Sequence, residues 1–223
     1  MKRLRQAYGN VFEYEDEFIA YYVKKRYGDP FSVLVAVILS QNTTEKNAFE
    51  AWRSLERGLG EVTPERVLEA GEEVIANLIK KAGLQKQKAK AIVEAARRWE
   101  DIKKAIEEGN PKPLLEVKGI GKKTVDVVLM SFGHRAFPVD THVKRVSERL
   151  GLASGSYDKI SKRLAELFEG NEMEAHMLLI LHGRRRCKAK KPECDSCPLK
   201  DLCRYAGGLG TTTALTGPSG PGR

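Results

Sequence analysis

The sequence predicts an all-α protein, and three observations carry that reading. Apolar residues recur at helical spacing through most of the 223-residue chain. The segments so patterned are divided by Gly, Pro and Ser breaks. The one apolar run that would suit a strand, residues 31–39, has no partner strand or hairpin signal beside it.

Taken in order, residues 11–27 place Phe12, Phe18, Ile19, Tyr22 and Val23 at helical spacing, and Gly28-Asp29-Pro30 ends that segment. Residues 31–39 are expected to form a buried helix. Residues 44–57 are amphipathic, and Thr63 before Pro64 is an N-cap followed by proline at the first helical position. Segments 71–82 and 87–106 continue the series, with Gly83-Leu84 as the break between them. In the second half, residues 122–132, 140–150, 157–168 and 172–183 each carry helix periodicity. No fixed repeat runs along the chain, which argues against a solenoid. Residues 207–223 are rich in Gly, Thr and Pro and uncharged until Arg223, the composition of a disordered tail.

Lys and Arg number 39 against 30 Asp and Glu, a formal charge of +9, so the partner is expected to be anionic. The charge lies in blocks: Lys80, Lys81, Lys86, Lys88 and Lys90; Lys118, Lys122 and Lys123; then Arg184, Arg185, Arg186, Lys188, Lys190 and Lys191. Such blocks suit a polyphosphate track. The longest strongly apolar run, residues 33–39, is far too short for a bilayer. No membrane role is expected, and the protein is expected in the cytoplasm, or in the nucleus or mitochondria of a eukaryote.

All four cysteines fall in one stretch, Cys187, Cys194, Cys197 and Cys203, spaced C-x6-C-x2-C-x5-C. Clustering of this kind reads as one metal site. Paired disulfides belong to small secreted domains, whereas this sequence opens Met1-Lys2-Arg3 without an apolar leader. Zinc modules use two short knuckles, and only Cys194 and Cys197 form one here. The spacing favours a 4Fe-4S cluster and leaves zinc open.

Residues 114–126, Leu-Leu-Glu-Val-Lys-Gly-Ile-Gly-Lys-Lys-Thr-Val-Asp, predict two short helices joined by a glycine turn, with Leu115, Val117 and Ile120 pinning the turn to the core. Gly121 and its followers open a helix, whose free N–H groups and positive dipole end suit a phosphate. With Lys118 and Lys122 alongside Gly119 and Gly121, this stretch reads as a helix-hairpin-helix DNA clamp.

The hairpin, then Pro138-Val139-Asp140-Thr141-His142, then Leu181-His182-Gly183, then the cysteine cluster, in that order, resemble the endonuclease III family of helix-hairpin-helix DNA glycosylases. The resemblance covers residues 11–205. It implies a two-lobed, monomeric protein with duplex DNA, carrying a damaged base or an abasic site, in the cleft between lobes. One lobe would be a six-helix barrel over residues 27–133. The other would combine residues 1–26 and 134–206 around a 4Fe-4S cluster held by Cys187, Cys194, Cys197 and Cys203. The cluster loop would present Lys188, Lys190 and Lys191 to phosphates.

The resemblance also implies that Lys123 is a nucleophile and Asp140 the essential carboxylate. The chemistry needs both types. Breaking an N-glycosidic bond builds positive charge on the sugar, which a fixed anion stabilises, and an unprotonated amine can attack C1′ to form a Schiff base. Lys123 alone would read as a further phosphate contact, and Asp140 alone as a helix N-cap. Asp126, three residues after Lys123, is the rival carboxylate and is assigned to packing or surface. His142, His176 and His182 read as satisfied structural histidines.

By the same resemblance, Gln41 and Leu84 fill the gap left when a base is extruded. The family's bacterial members usually read Gln-Ala-Thr-Asp where this chain reads Gln41-Asn42-Thr43-Thr44, so the pocket edge differs. The implied function is a bifunctional glycosylase and abasic-site lyase acting on oxidised pyrimidines. Two alternatives stand beside it: a mismatch-specific thymine, uracil or adenine glycosylase, and a non-catalytic iron-sulfur DNA-binding protein. Lys123 argues against the first, and the Lys123 and Asp140 pair argues against the second.

Overall fold

The computed structural model describes residues 1–207, so the tail expected over residues 207–223 lies, Gly207 apart, outside the described residues. Among the described residues the chain forms twelve α-helices and no strand. Their apolar faces converge on two separate cores.

The first core is built from α2 (Ile19–Arg26), α3 (Pro30–Ser40), α4 (Glu45–Leu59), α5 (Pro64–Leu78), α6 (Gln85–Arg97), α7 (Trp99–Glu108), α8 (Lys112–Leu115) and α9 (Lys122–Ser131). At its centre is α3, the run that could have been a strand. Asp29 caps it by accepting a 2.7 Å bond from the Ser32 N–H, Pro30 takes the first turn, and every residue from Phe31 to Leu39 is buried. A helix apolar on all sides belongs inside a core, as this one is. Thr44 caps α4 through the Asn47 N–H at 3.2 Å, and Thr63 caps α5 through Arg66 N–H at 3.3 Å.

Three expected helices are divided. Residues 11–27 become two 3-10 turns, Val11–Glu13 and Glu15–Glu17, and then α2. The apolar pattern there serves both cores, since Val11 and Phe18 pack in the second and Ile19 and Val23 in the first. The break expected ahead of the 71–82 segment is a kink, with Gly71 at φ 76 inside α5, and the end of the segment winds into a 3-10 turn over Lys80–Ala82. The 87–106 segment breaks at Arg98, where Trp99 turns to meet Phe31 edge-on with ring centres 5.0 Å apart.

The second core joins α1 (Lys2–Tyr8) to α10 (Thr141–Leu150), α11 (Tyr157–Leu167) and α12 (Glu172–Arg185). Its centre is α12, buried continuously from Ala175 to Gly183. Gly183 lets α12 approach α10 closely, because a Cβ there would stand 2.8 Å from the Cβ of His142. The chain passes between cores at Phe18 to Ile19 and again at Ala136 to Phe137. At that seam Arg184 donates to the Glu17 carbonyl at 3.0 Å and to Glu45 Oε1 at 3.2 Å, and Glu45 Oε2 accepts the Ile19 N–H at 3.1 Å. Arg185 pairs with Glu17 and Arg186 with Glu193. These arginines, read from sequence as part of a phosphate-facing block, are occupied inside the molecule. No helix among the described residues is long and apolar enough to cross a membrane.

His176, edge-on to Phe137 with ring centres 5.8 Å apart, is held neutral, its pKa pulled down to about 4 mainly by burial. An unfolded histidine titrates near about 6.5. The unfolded chain therefore binds the proton that the native state refuses, and stability is full above about pH 6.5 and falls as pH drops toward about 4, by up to about 1.4 kcal/mol per pH unit. Urea unfolding at about pH 7 and about pH 5 checks this: His176→Gln should lose less stability between the two than the wild type, and equal losses would contradict it.

Candidate active site and metal centre

The hairpin forms where expected, but its first helix, α8, is a single turn of four residues. Val117 N–H returns to Leu114 O at 3.2 Å and Ile120 N–H to Val117 O at 3.0 Å. Val117 and Ile120 are buried as expected. Leu115 is not, being 40% exposed, and Leu114 takes its place in the core. A one-residue shift of phase suffices, because the short α8 gives periodicity little to act on. Gly119 has φ 98, a conformation that favours glycine. Gly121 is the N-cap of α9 and makes no side-chain cap, so the α9 N–H groups are not satisfied by a side chain there. Lys118 is exposed, as is Lys122, whose Nζ lies 2.8 and 2.7 Å from the two carboxylate oxygens of Asp158.

Next in α9, Lys123 is half-buried and lines an open cleft of about 850 Å³ along the seam between the cores. Asp140 lines the same cleft from the second core. It caps α10, its Oδ1 accepting the Val143 N–H at 2.7 Å, and makes no other side-chain hydrogen bond among the described residues. The cap fixes the carboxylate. Its rival, Asp126, accepts from Tyr157 OH at 2.6 Å and Ser161 Oγ at 3.4 Å and lines a different cavity, one that shares Lys122 and Tyr157 with the cleft. Burial holds the Asp126 carboxyl above the usual carboxylate range and pushes the Tyr157 phenol up with it. No ion pair joins Asp126 to Lys123 among the described residues.

Gln41 lies at the C-terminal end of α3 and also lines the cleft. Its Nε2 donates to Gly119 O at 3.1 Å and Thr124 Oγ1 at 2.9 Å, so it is latched to the hairpin. Asn42, at φ 50, and Thr43 line the cleft beside it, while Thr44 is used as the α4 cap. Leu84 is 49% exposed at φ 48 and ψ 34, left-handed for a residue with a branched side chain. Such a conformation costs roughly 1–3 kcal/mol and persists only where the surroundings enforce it.

Sequence reasoning missed two groups. His176 also lines the cleft, and its buried Nε2 has no hydrogen-bond partner, so it is not the satisfied structural histidine expected. His142 and His182 do have partners, Arg145 and Tyr8. Lys88, counted in a solvent-facing basic block, is only 3% exposed and donates to two backbone carbonyls. The available signal was its apolar setting on α6, among Ala89, Ala91 and Ile92.

The four cysteines line one small cavity against the second core. No three His, Cys, Asp or Glu side chains among the described residues converge as one ion would need. Four thiols lining one cavity supply the donor set that an iron-sulfur cluster requires. Hydrogen bonds to sulfur are in place: Arg149 Nη1 to Cys187 Sγ at 3.4 Å and Leu199 N–H to Cys197 Sγ at 3.4 Å. His182 Nε2 stands 3.7 Å from Cys197 Sγ, with Tyr8 OH 2.8 Å from its other nitrogen. Arg149 also draws in the loop through the carbonyls of Lys188 at 2.8 Å and Ala189 at 3.1 Å. Lys188 pairs with Glu193 at 2.6 Å, while Lys190 and Lys191 are exposed, Lys191 at φ 53.

A glycine hairpin ahead of α9, and a cleft between two helical cores lined by Lys123 and Asp140, give the chain a helix-hairpin-helix architecture. The sequence family described as "HhH-GPD superfamily base excision DNA repair protein" matches residues 35–170, and "iron-sulfur binding domain of endonuclease III" matches residues 187–203, from the first cysteine to the last. The chain belongs to the endonuclease III family. It is 40% identical over 198 residues to endonuclease III of Sulfolobus acidocaldarius, covering 86% of this chain and 89% of that one. It is 34% identical over 182 residues to the Escherichia coli K12 protein, covering 80% and 85%. A trapped endonuclease III–DNA covalent intermediate superposes with a TM-score of 0.66 at 29% identity, over 91% of this chain and 96% of that one. A thermostable thymine-DNA glycosylase gives 0.65 at 25% identity, over 92% and 97%. The protein carries a 4Fe-4S cluster.

Natively expressed protein should therefore be yellow-brown, with about four irons per chain by elemental analysis. One zinc and no visible absorbance would contradict this. Cys197→Ser should lower the melting temperature and the soluble yield together with the iron content, because the thiols line the second core.

Proposed function

We propose that this chain is a bifunctional DNA glycosylase and abasic-site lyase of base excision repair, acting on oxidised pyrimidines in duplex DNA, with Lys123 as nucleophile and Asp140 as the charge-stabilising carboxylate. One observation carries the reading: Lys123 and Asp140, supplied by different cores, line one cleft. The proposed lobes follow those cores, with residues 19–136 as the barrel and residues 1–18 and 137–206 as the iron-sulfur lobe, in place of divisions at 27 and 133. Cys187, Cys194, Cys197 and Cys203 are the proposed cluster ligands. The cluster's part is to anchor the chain that follows α12.

As the bond between base and C1′ lengthens, positive charge grows on the sugar, and the capped Asp140 carboxylate stabilises it without having to reorient. The Lys123 amine bonds to C1′ and the base leaves with its electron pair. The joined nitrogen gives up one of its two protons, the ring oxygen leaves C1′ and takes a proton to become the O4′ hydroxyl, and the nitrogen, keeping its other proton, forms the protonated Schiff base, an iminium. That iminium acidifies the C2′ proton; once it is removed, the C3′–O bond breaks and the 3′ phosphate departs. His176, held neutral by burial, adds no charge of its own beside this pair.

Leu84 and Gln41 are the proposed gap fillers. Gly119, Gly121, Lys118 and Lys122 are the proposed phosphate clamp, with Lys122 exchanging Asp158 for a phosphate on binding. A second reading, removal of a mismatched thymine, draws on the similarity to the thymine-DNA glycosylase. Lys123 favours the first, since removal of a base without strand cleavage needs no amine nucleophile.

Single-turnover assays on duplexes carrying an oxidised pyrimidine, a G·T mismatch or an abasic site test both readings. Lys123→Gln should abolish strand nicking yet still bind the abasic duplex. Asp140→Asn should keep the fold, because Asn caps equally well, and slow base release by roughly a hundredfold or more. Asp126→Asn should release base at near the wild-type rate. Base release undiminished in Asp140→Asn but lost in Asp126→Asn would reverse the assignment, and release of thymine without nicking would favour the second reading.

Affinity for DNA should fall steeply with salt. Changing both Lys190 and Lys191 to Gln should reduce the log–log slope by about two, at about 0.9 per phosphate contact. Lys188→Gln should change it less, because Glu193 already takes its charge. An unchanged slope in the double variant would remove the cluster loop from the interface.

A further inference from the structure

The two residues proposed to enter the duplex sit on separate segments, Gln41 after α3 and Leu84 before α6. One buried side chain joins them. Lys88 Nζ donates to Leu39 O at 2.9 Å and to Ala82 O at 2.7 Å. Leu39 is two residues before Gln41, and Ala82 is two residues before Leu84. Neither carbonyl accepts a bond from a backbone N–H beyond its own helix, as is usual at helix ends. The backbone N–H of Lys88 adds a third tie, to Leu84 O at 3.0 Å.

Packing alone does not call for a lysine at this place. No carboxylate pairs with Lys88 among the described residues, and burying an amine among apolar groups is costly unless its bonds are needed. That cost is visible as a pKa pulled down to about 8 by burial. What needs holding is the Leu84 turn, where Gly83 at φ 67 and Leu84 at φ 48 stand side by side with the leucine half-exposed. Gln41 extends the chain of contacts to Gly119 of the hairpin, three residues from the α9 N-terminus.

Resting on the gap-filling reading of Gln41 and Leu84, we propose that Lys88 is a positioning residue that locks their two loops into one unit, so that both enter the duplex in register as a base leaves the stack. Lys88 touches neither the substrate nor the reacting atoms. Its effect passes through Leu84 and Gln41.

The test is a double-mutant cycle on the iron-loaded protein, using Lys88→Met, which keeps the stem and removes the donors, alone and with Leu84→Ala. Single-turnover base release is followed on a duplex with a paired lesion, and nicking on a duplex with a preformed abasic site. Lys88→Met should slow base release about tenfold or more and abasic-site nicking no more than about threefold, a tenfold effect being about 1.4 kcal/mol. In the Leu84→Ala background, adding Lys88→Met should slow base release by no more than about twofold. Should Lys88→Met not fold, Lys88→Gln, which keeps a donor on a shorter stem, is expected to show the same pattern at smaller size.

Equal losses on both substrates, or a full Lys88→Met effect without the Leu84 side chain, would reduce Lys88 to general stability and overturn the proposal. Wild-type rates in Lys88→Met would overturn it directly. If Leu84→Ala itself releases base at the wild-type rate, the gap-filling reading fails first and the lock falls with it.

Discussion

The structure depends on keeping two separately packed cores in one register, and Glu45 is where that is done. One of its carboxylate oxygens accepts the Ile19 N–H at the first crossing between cores, and the other accepts from Arg184 on α12. Arg184 also holds the carbonyl of Glu17 and lies over the Phe18 ring, 5.4 Å from its centre. Hydrogen bonds to charged groups contribute about 1.5–3 kcal/mol each, so a few of them at half-buried positions can set the angle between cores. The cleft exists because of that angle. Both Glu45 and Arg184 line it, within the same space as Lys123 and Asp140.

A site divided between two cores gives each proposed reacting group its own support. Lys123 rides on α9 behind a hairpin pinned by Leu114, Val117 and Ile120. Asp140 is fixed by its own cap and by the close approach of α10 to α12 that Gly183 permits. The carboxylate that could have competed, Asp126, is spent on Tyr157 and Ser161, tying α11 to α9. The iron-sulfur segment closes the second core from outside, with Arg149 holding both a cysteine sulfur and the carbonyls of the basic loop.

Much of this was legible in the sequence where local chemistry decides. The caps at Thr63 and Asp140, the burial of residues 31–39, the hairpin and the cysteine spacing all act over a few residues. The helix boundaries that failed were those in which one apolar pattern serves two purposes: residues 11–27 feed two cores, and Arg98 breaks a helix whose face continues in phase. Charges were the least legible. Arg184 finds Glu45 at a separation of 139 residues and Lys122 finds Asp158 at 36, and no local pattern announces such partners. Lys88 looked like its exposed neighbours, although its carbonyl acceptors place it in the interior.

Membership of the endonuclease III family and the intact lysine and aspartate lead to the central claim, that an amine on the hairpin helix becomes covalently joined to the sugar. Reducing the complex with abasic-site DNA by borohydride, digesting it and locating the adduct by mass spectrometry tests that claim most directly. The account predicts the sugar remnant on Lys123. An adduct on Lys122 or on the N-terminal amine would contradict it.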